Sequence, residues 1–323
     1  MREYAIEFPP ADPQIDLSII IVSWNVRALL RDCLQSLRQV AGELRLQVVV
    51  VDGASADGSA DMVASVFPEV DLVRCDENVG FPRGNNIGLA RATGRYLLLL
   101  NPDTIVQPGA LQTLRDYLAE HAEVGLIGAQ LLNPDGSIQH SRYRFPRFST
   151  GFFESTWLQR YAPQRLLDHY YLRDQPSDRP VEADWLNGAC LFTRREIAAT
   201  VGGLDEGYFM YSEELDWCRR IRTAGWRIVY VPEAQIVHYV GQSSEQAVTA
   251  RHINFNRAKL RYYRKYHGAL AAGLLRWFLL ASYLWQILVE GAKGLAGHKR
   301  ELRWQRVRSY WQVVRSGLRP AGY

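Results

Sequence analysis

The chain has 323 residues, of which 47% are hydrophobic and 22% charged, a composition that excludes a disordered protein and suffices for a full α/β core plus a further element. Its net charge of +4 conceals an asymmetry, because residues 251–323 hold 15 Lys and Arg against 2 Asp and Glu. Residues 1–250 carry a net charge of −9. The sequence therefore predicts an acidic body followed by a basic tail.

Apolar runs of strand length alternate with helical patterns in the first part of the chain, after an N-terminal extension over residues 1–16. Strands that alternate with helices predict right-handed crossovers and a mostly parallel sheet with flanking helices, a Rossmann-like α/β half over residues 17–132. The predicted strands are Leu17–Trp24, Leu46–Val51, Val70–Arg74, Tyr96–Leu100 and Val124–Ala129, and the predicted helices are one around Leu29–Leu37, then Ser59–Val66, Gly84–Ala92 and Ala110–Glu120.

A second half is predicted over residues 133–248. Residues 133–183 are rich in aromatic and basic side chains without clear periodicity, which is typical of a functional loop. We expect this loop to contact a second substrate. Regular patterns return as a strand at Asp184–Thr193, a helix at Glu213–Thr223 and a strand at Arg227–Val231.

The basic tail over residues 249–323 contains the apolar run Trp277–Val289, which begins after Arg276 and ends at Glu290. An apolar run of this kind disfavours a nucleic-acid partner and favours an anionic membrane surface. Lys299–Arg319 interleaves arginines with apolar residues, as interfacial helices do. We predict helices that lie on the membrane; a helical pair that caps the fold is the alternative, and whether residues 269–289 span the membrane stays open.

The cysteines and the N-terminus bear on the compartment. Cys33, Cys75, Cys190 and Cys218 have no paired spacing, which predicts reduced, structural thiols. Acidic residues and prolines precede the first apolar run, so we predict no secretory signal and a body that faces the cytoplasm.

The tetrapeptide Asn101-Pro102-Asp103-Thr104 follows the apolar strand Tyr96–Leu100 directly. A carboxylate at the carboxyl end of a parallel strand lies where open α/β sheets bind ligands, and there it can hold a divalent cation against a diphosphate. A plain turn is the alternative, because all three of the first residues favour turns.

Two further segments follow strand ends. Asp52 ends a strand before a loop with Gly53 and Gly58, so its carboxylate can accept hydrogen bonds from a base or ribose, while Asp57 or Ser59 caps the next helix. The segment Asn78–Gly88 opens a helix and can offer backbone N–H groups and the cation of Arg83 to a nucleotide.

The fourth segment, Tyr211–Arg220, places Glu213, Glu214 and Asp216 in the first turn of a helix, and Val237–Gly241 with His238 follows the next strand. Capping by Ser212 and the helix dipole would account for one acid but not for three. A lone histidine more often has its hydrogen bonds satisfied within a core than serves as a ligand. His238 is therefore a candidate ligand only in combination with the other motifs.

The order and spacing of these four motifs over about residues 17–245 resemble those of the family 2 glycosyltransferases, which have the GT-A fold. The resemblance implies a nucleotide-diphosphate sugar donor, a Mg²⁺ or Mn²⁺ cofactor, and Glu214 as the catalytic base with Glu213 and Asp216 beside it. It implies metal contacts from Asp103 and His238 and acceptor contacts from Trp185, Asn187 and Gly188. The nucleotide-binding residues that it implies are Ser23, Asn25, Asp52, Asn78, Gly80, Phe81, Arg83, Asn86 and Asn101.

Two departures from the family pattern concern the site. Asn101 stands where the metal motif has its first Asp, and Glu214 stands where the base is usually Asp. The Asn-Pro-Asp variant and the segment Asp184–Ala189 look most like a rhamnosyltransferase branch, which implies dTDP-rhamnose, a polyprenyl-diphosphate-linked glycan acceptor and cell-envelope polysaccharide synthesis.

The expected reaction is an inverting transfer by an enzyme at the cytoplasmic face of the membrane. The alternatives are a nucleotidyltransferase, for which Ser23-Trp24-Asn25 offers no activating basic glycine loop, and a nucleotide- or glycan-binding module that has lost turnover, for which the Asn101 and Glu214 departures are the only support.

Overall fold

The computed structural model describes residues 4–239, 248–297 and 299–319, and the chain divides into two compact units. Val240 and Gly241, which the sequence placed in the His238 motif, lie outside the described residues, as do residues 1–3 of the predicted extension. The N-terminal unit comprises Met1–Phe145, Asp168–Phe209 and Glu213–Ser243, and the C-terminal unit comprises Pro146–Leu167, Met210–Ser212 and Ser244–Tyr323.

The N-terminal unit is built on a ten-stranded mixed sheet. Its strands are β1 (Leu17–Ser23), β2 (Leu46–Asp52), β3 (Asp71–Arg74), β4 (Tyr96–Leu100), β5 (Thr104–Val106), β6 (Val124–Leu132), β7 (Ile138–Gln139), β9 (Val181–Glu182), β11 (Cys190–Arg194) and β12 (Arg227–His238). The order is β3-β2-β1-β4-β11-β6-β12-β5, with β7 beside β6 and β9 beside β12. A separate antiparallel pair joins β8 (Arg142–Tyr143) to β10 (Trp185–Leu186).

The parallel part of the sheet is confirmed, since β1 pairs in parallel with β2 and β4, and β2 with β3. The second half departs from a purely parallel arrangement because β11 runs antiparallel between β4 and β6. The predicted strand Asp184–Thr193 is wrong as one element: residues 187–189 turn the chain, so β10 and β11 belong to different sheets.

Helices cover both faces of this sheet and enclose two apolar cores. One core receives Leu34 of α1, Met62 of α2 and Leu114 of α4; the other receives Leu89 of α3 and Trp217 of α8. The helices of the unit are α1 (Arg27–Val40), α2 (Ser59–Val66), α3 (Phe81–Leu89), α4 (Ala110–Glu120), α7 (Arg195–Val201) and α8 (Glu213–Thr223).

The strand pairing brings several chain segments to one edge of the sheet, called here the carboxyl edge. Ser23 pairs with Asp52 where the parallel strands β1 and β2 end. The antiparallel strand β11 begins beside the end of β4, because Cys190 pairs with Leu100. His238, at the end of β12, pairs with Thr104 at the start of β5. The topology therefore collects the predicted motifs at this edge.

The C-terminal unit has its own core. Tyr262, Tyr263, Leu275 and Leu279 are buried, and the Phe278 ring contacts Phe152 at a centroid distance of 5.0 Å. The elements of this unit are α5 (Thr150–Phe153), a 3-10 helix (Trp157–Tyr161), α9 (Val248–Leu295), which is interrupted at Gly268, and α10 (Arg300–Ser316); α6 (Gln164–Tyr170) begins in this unit and ends in the other.

Helix α9 is the one helix among the described residues that is long and apolar enough to cross a membrane. Only 33% of its most apolar 18-residue window is buried within the protein. Glu290, which ends the apolar run in the sequence, lies inside α9, and its carboxylate accepts a hydrogen bond from Arg303 of α10 at 2.6 Å. This ion pair joins the two helices, so the unit is a packed structure rather than a loose tail.

Two segments lie differently from the sequence-based division of the chain. Residues 146–167 belong to the C-terminal unit, not to the predicted acceptor half, because they pack with α9. The predicted N-terminal extension packs on the N-terminal unit where it is described, with Ile6 and Phe8 against one apolar core. All four cysteines are free thiols, as predicted, and burial raises the pKa of Cys33 and of Cys190 to about 12.

Candidate active site

Asp103 and His238 form the centre of the candidate metal site. The His238 Nε2 atom lies 3.3 Å from Asp103 Oδ1, and both side chains are almost entirely buried. The contact follows from the pairing of β12 with β5, reinforced by a hydrogen bond from the Tyr239 N–H to the Asp103 carbonyl oxygen at 2.8 Å. Asn101 completes the group, since its Nδ2 atom lies 3.4 Å from His238 Nε2.

These residues fit a divalent cation. Octahedral Mg²⁺ holds its ligands at about 2.1 Å, so neighbouring ligands lie about 3 Å apart, close to the separation of His238 Nε2 and Asp103 Oδ1. In the part of the chain that the structure describes, no third carboxylate, histidine or cysteine joins them to form a larger metal-binding group. An ion held here would therefore take its other ligands from diphosphate and water, as protein-bound Mg²⁺ commonly does.

Asp52 and Ser23 face one another across the ends of β1 and β2. Asp52 is 3% exposed, its Oδ1 atom accepts a hydrogen bond from the Ser55 N–H at 2.9 Å, and among the described residues its Oδ2 atom has no hydrogen-bond partner. The hydroxyl of Ser23 is likewise buried without a protein partner in that part of the chain. Buried polar atoms of this kind need a ligand or water, as expected for contacts to a nucleoside.

Asn25 supports the same loop. Its backbone N–H donates to Ser55 Oγ at 2.9 Å, and its side-chain oxygen accepts from the Ala56 N–H at 2.7 Å. Asp57 stabilises the turn, because it accepts hydrogen bonds from the backbone N–H groups of Arg27 and Ser59. The expected cap is wrong, since the N-cap residue of α2 is Gly58, which has no side chain to cap the helix. Asp52 is thereby left as the acid of this loop that is available to a ligand.

The Asn78–Phe81 segment is held in one conformation. Asn78 Oδ1 accepts the Gly80 N–H at 3.0 Å, and the Phe81 N–H donates to the Phe209 carbonyl oxygen at 2.9 Å. Gly80 has a φ of +78°, and a Cβ atom there would lie 2.5 Å from that same carbonyl oxygen. Only glycine fits this position. Asn78 also borders the Asp52 loop, since a Cβ at Gly53 would lie 3.6 Å from Asn78 Oδ1.

Arg83 and Asn86 have different environments on α3. Arg83 is exposed, and its charge reaches the carboxyl edge: burial and the charge of Asp52 raise the pKa of Cys75, whereas Arg83 lowers it. Both polar ends of Asn86 are occupied, because Oδ1 accepts from the Leu204 N–H and Nδ2 donates to the Leu204 carbonyl oxygen and to Glu206. Asn86 thus anchors the loop that contains Leu204 and Glu206.

The three acids of α8 differ in how deeply they are buried. Glu214 is partly exposed, whereas Glu213 and Asp216 are buried. Glu214 lies against Gly188, where an added Cβ would be 3.7 Å from its carboxyl carbon. Burial, together with the charge of Glu214, raises the pKa of Glu213 well above its ordinary value. Glu214 is therefore the acid of this turn that is not buried.

Asp216 has a structural environment. Its carboxylate accepts a hydrogen bond from Arg220 Nε at 3.0 Å, and the same guanidinium donates to the Val201 and Gly203 carbonyl oxygens. The pair ties α8 to the loop after α7. Ser212, expected to cap α8, has a φ of +63° rather than the extended conformation of an ordinary N-cap residue.

The predicted acceptor residues lie on β10 and the following turn. The Trp185 ring stacks on Tyr143 at a centroid distance of 4.1 Å and donates its Nε1 hydrogen to the Arg144 carbonyl oxygen at 3.0 Å. Asn187 accepts the Ala189 N–H at 2.9 Å, and Ala189 in turn accepts the Asn101 N–H at 3.1 Å. The turn that holds Asn187 and Gly188 therefore links Asn101 to the neighbourhood of Glu214.

Two residues outside the predicted site residues, Ser55 and Gln139, support the site. Ser55 bonds both Asn25 and Asp52, and the spacing of an Asp followed three residues later by Ser in a glycine-containing loop could have indicated it. Gln139 contacts His238 Nδ1 through Oε1 at 2.7 Å. It lies on a two-residue strand with no periodic signal, so nothing in the sequence singled it out.

Comparison with known proteins decides the family. The sequence profile described as glycosyl transferase family 2 matches residues 18–217. The chain belongs to this family. It is therefore a glycosyltransferase, and the nucleotidyltransferase alternative is rejected.

Two relatives fit the predicted branch. The chain is 28% identical over 286 residues to the N-acetylglucosaminyl-diphospho-decaprenol L-rhamnosyltransferase of Mycobacterium tuberculosis, which covers 82% of this chain and 90% of that protein. It is 32% identical over 169 residues to the rhamnosyltransferase WbbL of Escherichia coli, covering 50% of this chain and 61% of WbbL.

Solved structures agree on the fold. A mannosyltransferase from Pyrobaculum calidifontis, solved with GDP-Man and Mn²⁺, superposes with a TM-score of 0.54 at 18% identity over 96% of this chain and 89% of its own. GalNAc-T7, solved with UDP, GalNAc and Mn²⁺, superposes with a TM-score of 0.57 at 15% identity over 78% of this chain and 48% of its own. The fold is that of the GT-A glycosyltransferases, as predicted.

Proposed function

We propose that this glycosyltransferase moves a sugar, L-rhamnose from dTDP-rhamnose, to a hydroxyl of a polyprenyl-diphosphate-linked glycan in cell-envelope polysaccharide synthesis. The observation that supports the proposal is the juxtaposition, at one sheet edge, of a carboxylate–imidazole pair, a buried acid with an oxygen that has no partner among the described residues, and a partly exposed acid. They are Asp103 with His238, Asp52, and Glu214. The choice of sugar and acceptor rests on the two rhamnosyltransferase relatives.

The proposed reaction is a single inverting displacement at the anomeric carbon of the donor. Glu214 accepts the proton of the acceptor hydroxyl as the new carbon–oxygen bond forms, because a sugar hydroxyl is a weak nucleophile without a base within hydrogen-bond reach. The bond between the anomeric carbon and the diphosphate oxygen breaks, and the nucleoside diphosphate leaves with the bonding electrons.

Donor binding is assigned to the other groups of the carboxyl edge. Asp52, Ser23 and the Asn78–Phe81 segment hold the nucleoside, with Asn25 shaping their loop and Arg83 adding positive charge. Asp103 and His238, with Asn101 beside them, would hold Mg²⁺ or Mn²⁺. A bound divalent cation stabilises the charge that develops on a diphosphate leaving group. On the acceptor side, Trp185 offers an aromatic surface, and Asn187 and Gly188 border the base.

A transfer assay tests this proposal. The full chain, in Mn²⁺ and with a synthetic N-acetylglucosaminyl-diphospho-polyprenol, should consume dTDP-rhamnose faster than UDP-glucose or GDP-mannose. Product NMR should show an anomeric configuration opposite to that of the donor. Preference for another sugar nucleotide would overturn the donor assignment, retention would overturn the displacement, and donor hydrolysis without transfer would overturn the acceptor.

We also propose that the C-terminal unit holds the enzyme on the cytoplasmic face of an anionic membrane. One face of α9 exposes apolar side chains spaced three, four or seven residues apart, with one adjacent pair, which places them along one side of a helix. This exposed stripe consists of Leu270, Leu274, Trp277, Leu284, Trp285, Leu288 and Leu295.

Charge favours lipid over a second copy of the chain as the partner of this exposed stripe. Residues 251–323 carry 15 basic against 2 acidic residues, so a second copy would bring a like charge of +13, whereas an anionic lipid surface brings the opposite charge. Tryptophan and leucine beside basic residues are also typical of helices that lie in the membrane interface.

A further inference from the structure

Gln139 connects the metal site to a turn outside the predicted motifs. It lies on β7 and pairs with Leu131 of β6. Its Oε1 atom is 2.7 Å from His238 Nδ1, and its Nε2 atom donates to the His238 carbonyl oxygen at 3.2 Å and to Asn133 Oδ1 at 3.0 Å. One amide therefore contacts both the ring and the backbone of the same histidine.

These contacts determine which way the amide points. The His238 carbonyl oxygen can only accept a hydrogen bond, so the Gln139 atom that faces it must be the NH₂ group. Asn133 supports this orientation, because its own Nδ2 donates to Ser137 Oγ at 2.9 Å and leaves its oxygen toward Gln139. With the amide reversed, its oxygen would face the His238 carbonyl oxygen and Asn133 Oδ1, and neither of these can donate a hydrogen bond. Oε1 must therefore face the imidazole.

The orientation of the amide in turn determines the tautomer of the imidazole. An amide oxygen only accepts, so the His238 Nδ1 atom that faces it at 2.7 Å must carry a hydrogen. In the neutral ring the other nitrogen, Nε2, then has the lone pair, and this is the atom that lies 3.3 Å from Asp103 Oδ1. Two electron-rich atoms held this close favour a cation between them.

We propose that Gln139 is a positioning residue that holds the His238 imidazole as the Nδ1–H tautomer and aims the Nε2 lone pair at a divalent cation shared with Asp103. The inference rests on the proposed metal site. Hydrogen bonds from the second nitrogen of a ligating histidine fix its tautomer and orientation, and their loss typically lowers metal affinity by about 10- to 100-fold.

The test measures binding of Mn²⁺ alone to the full-length protein, using the EPR signal of free Mn²⁺ as the readout. Gln139→Leu should weaken binding at least about tenfold, because it removes the acceptor of Nδ1–H. Gln139→Glu keeps the oxygen that accepts from Nδ1–H but sets its second oxygen against the His238 carbonyl and Asn133 Oδ1, so it should restore only part of the affinity. Ile138→Ala, which changes the exposed neighbour of Gln139 on β7 without removing any of these hydrogen bonds, should stay within about threefold of wild type. Circular dichroism checks that each variant folds.

A second readout reports the tautomer itself. The ¹⁵N shifts of His238, assigned by comparison with His238→Asn, should show Nδ1 protonated and Nε2 unprotonated at about pH 8.5, above the ordinary imidazole pKa. In Gln139→Leu the two nitrogens should share the hydrogen. A wild-type ring with its hydrogen on Nε2, or equal Mn²⁺ affinity in folded Gln139→Leu and wild type, would overturn the inference. Wild type that binds Mn²⁺ no better than Asp103→Ala would instead overturn the metal site.

Discussion

Gly188 lies against the side chain of Glu214: an added Cβ atom would sit 3.5 Å from Glu214 Cβ and 3.7 Å from its carboxyl carbon. The two residues come from different elements, the turn between β10 and β11 and the first turn of α8. A side chain at residue 188 would therefore contact Glu214 directly. In the proposed reaction the acceptor hydroxyl would approach Glu214 from this side.

Glu214→Gln should lower turnover by at least about 100-fold, because removal of a general base typically costs 10² to 10⁴ in rate. Donor binding, measured by calorimetry, should be nearly unchanged. Glu213→Gln is the matched control, since its pKa is already raised by burial and by Glu214, and it should retain most of the turnover. If Glu214→Gln keeps near-normal turnover, the base is Glu213 or Asp216.

Asp103→Ala should weaken nucleotide binding in Mn²⁺ and leave the affinity without metal little changed. The reason is that Asp103 reaches the diphosphate only through the cation in the proposed site, whereas Asp52 contacts the nucleoside directly. Calorimetric titrations with and without EDTA measure both affinities. Full transfer activity in EDTA would show that Asp103 and His238 form a purely structural pair.

Gly80→Ala should destabilise the fold and weaken donor binding. Gly136→Ala is the matched control, since Gly136 has a φ of +82° but no atom within 4 Å of an added Cβ. Positive φ alone costs about 1–2 kcal/mol for a residue with a Cβ. The clash with Phe209 should add about 1–3 kcal/mol at Gly80, as overpacking does. Urea denaturation measures the free energy of unfolding of each variant. Equal losses of stability in the two variants would show that the segment around Phe209 shifts to avoid the clash without destabilising the fold.

Glu213 should make stability depend on pH. Its folded-state pKa is raised above the unfolded value, mainly by burial, so the folded protein binds this proton more tightly. The resulting stabilisation is present below the ordinary pKa of Glu and is lost as the pH rises through the raised value. Glu213→Gln should therefore match wild type near pH 4 and gain relative stability toward pH 8 in urea denaturation. The exposed Glu43→Gln variant should show no such trend, and a flat difference for Glu213→Gln would contradict its burial as a neutral group.

The sequence predicted the parts of this site that depend on regular elements. Continuous apolar runs predicted β1, β2 and β4, and parallel strands necessarily bring Asp52 and Asp103 to the same edge. The start of α8 was predicted because the acids and the helical period coincide at Glu213. Long-range pairings of very short strands carry no such periodicity. The contacts of Gln139 with His238, of Phe209 with Gly80 and of Tyr143 with Trp185 thus became visible only in the fold.

The C-terminal unit should bind anionic membranes through both charge and the exposed stripe of α9. Deleting the chain after His267 cannot test this, because Phe278, Ser282 and Tyr283 pack on Phe152, Trp157 and Asn256 within the unit. Point variants preserve that packing. The first double variant, called the apolar pair, combines Trp277→Ser with Leu288→Ser and removes two side chains that are each 66% exposed. The second, called the charge pair, combines Arg300→Gln with Arg308→Gln.

Flotation with phosphatidylglycerol–phosphatidylcholine vesicles separates the two contributions. A basic residue near an anionic surface contributes about 1 kcal/mol, so the charge pair should weaken binding roughly 30-fold at low salt and make little difference at high salt. The apolar pair should weaken binding at least about tenfold at every salt concentration, because burial of apolar area is not screened. Val66→Ser, which removes a side chain that is 45% exposed in the N-terminal unit, is the control. Complete release of wild type by salt would show that charge alone holds the protein, and no response to salt would indicate a helix that spans the bilayer.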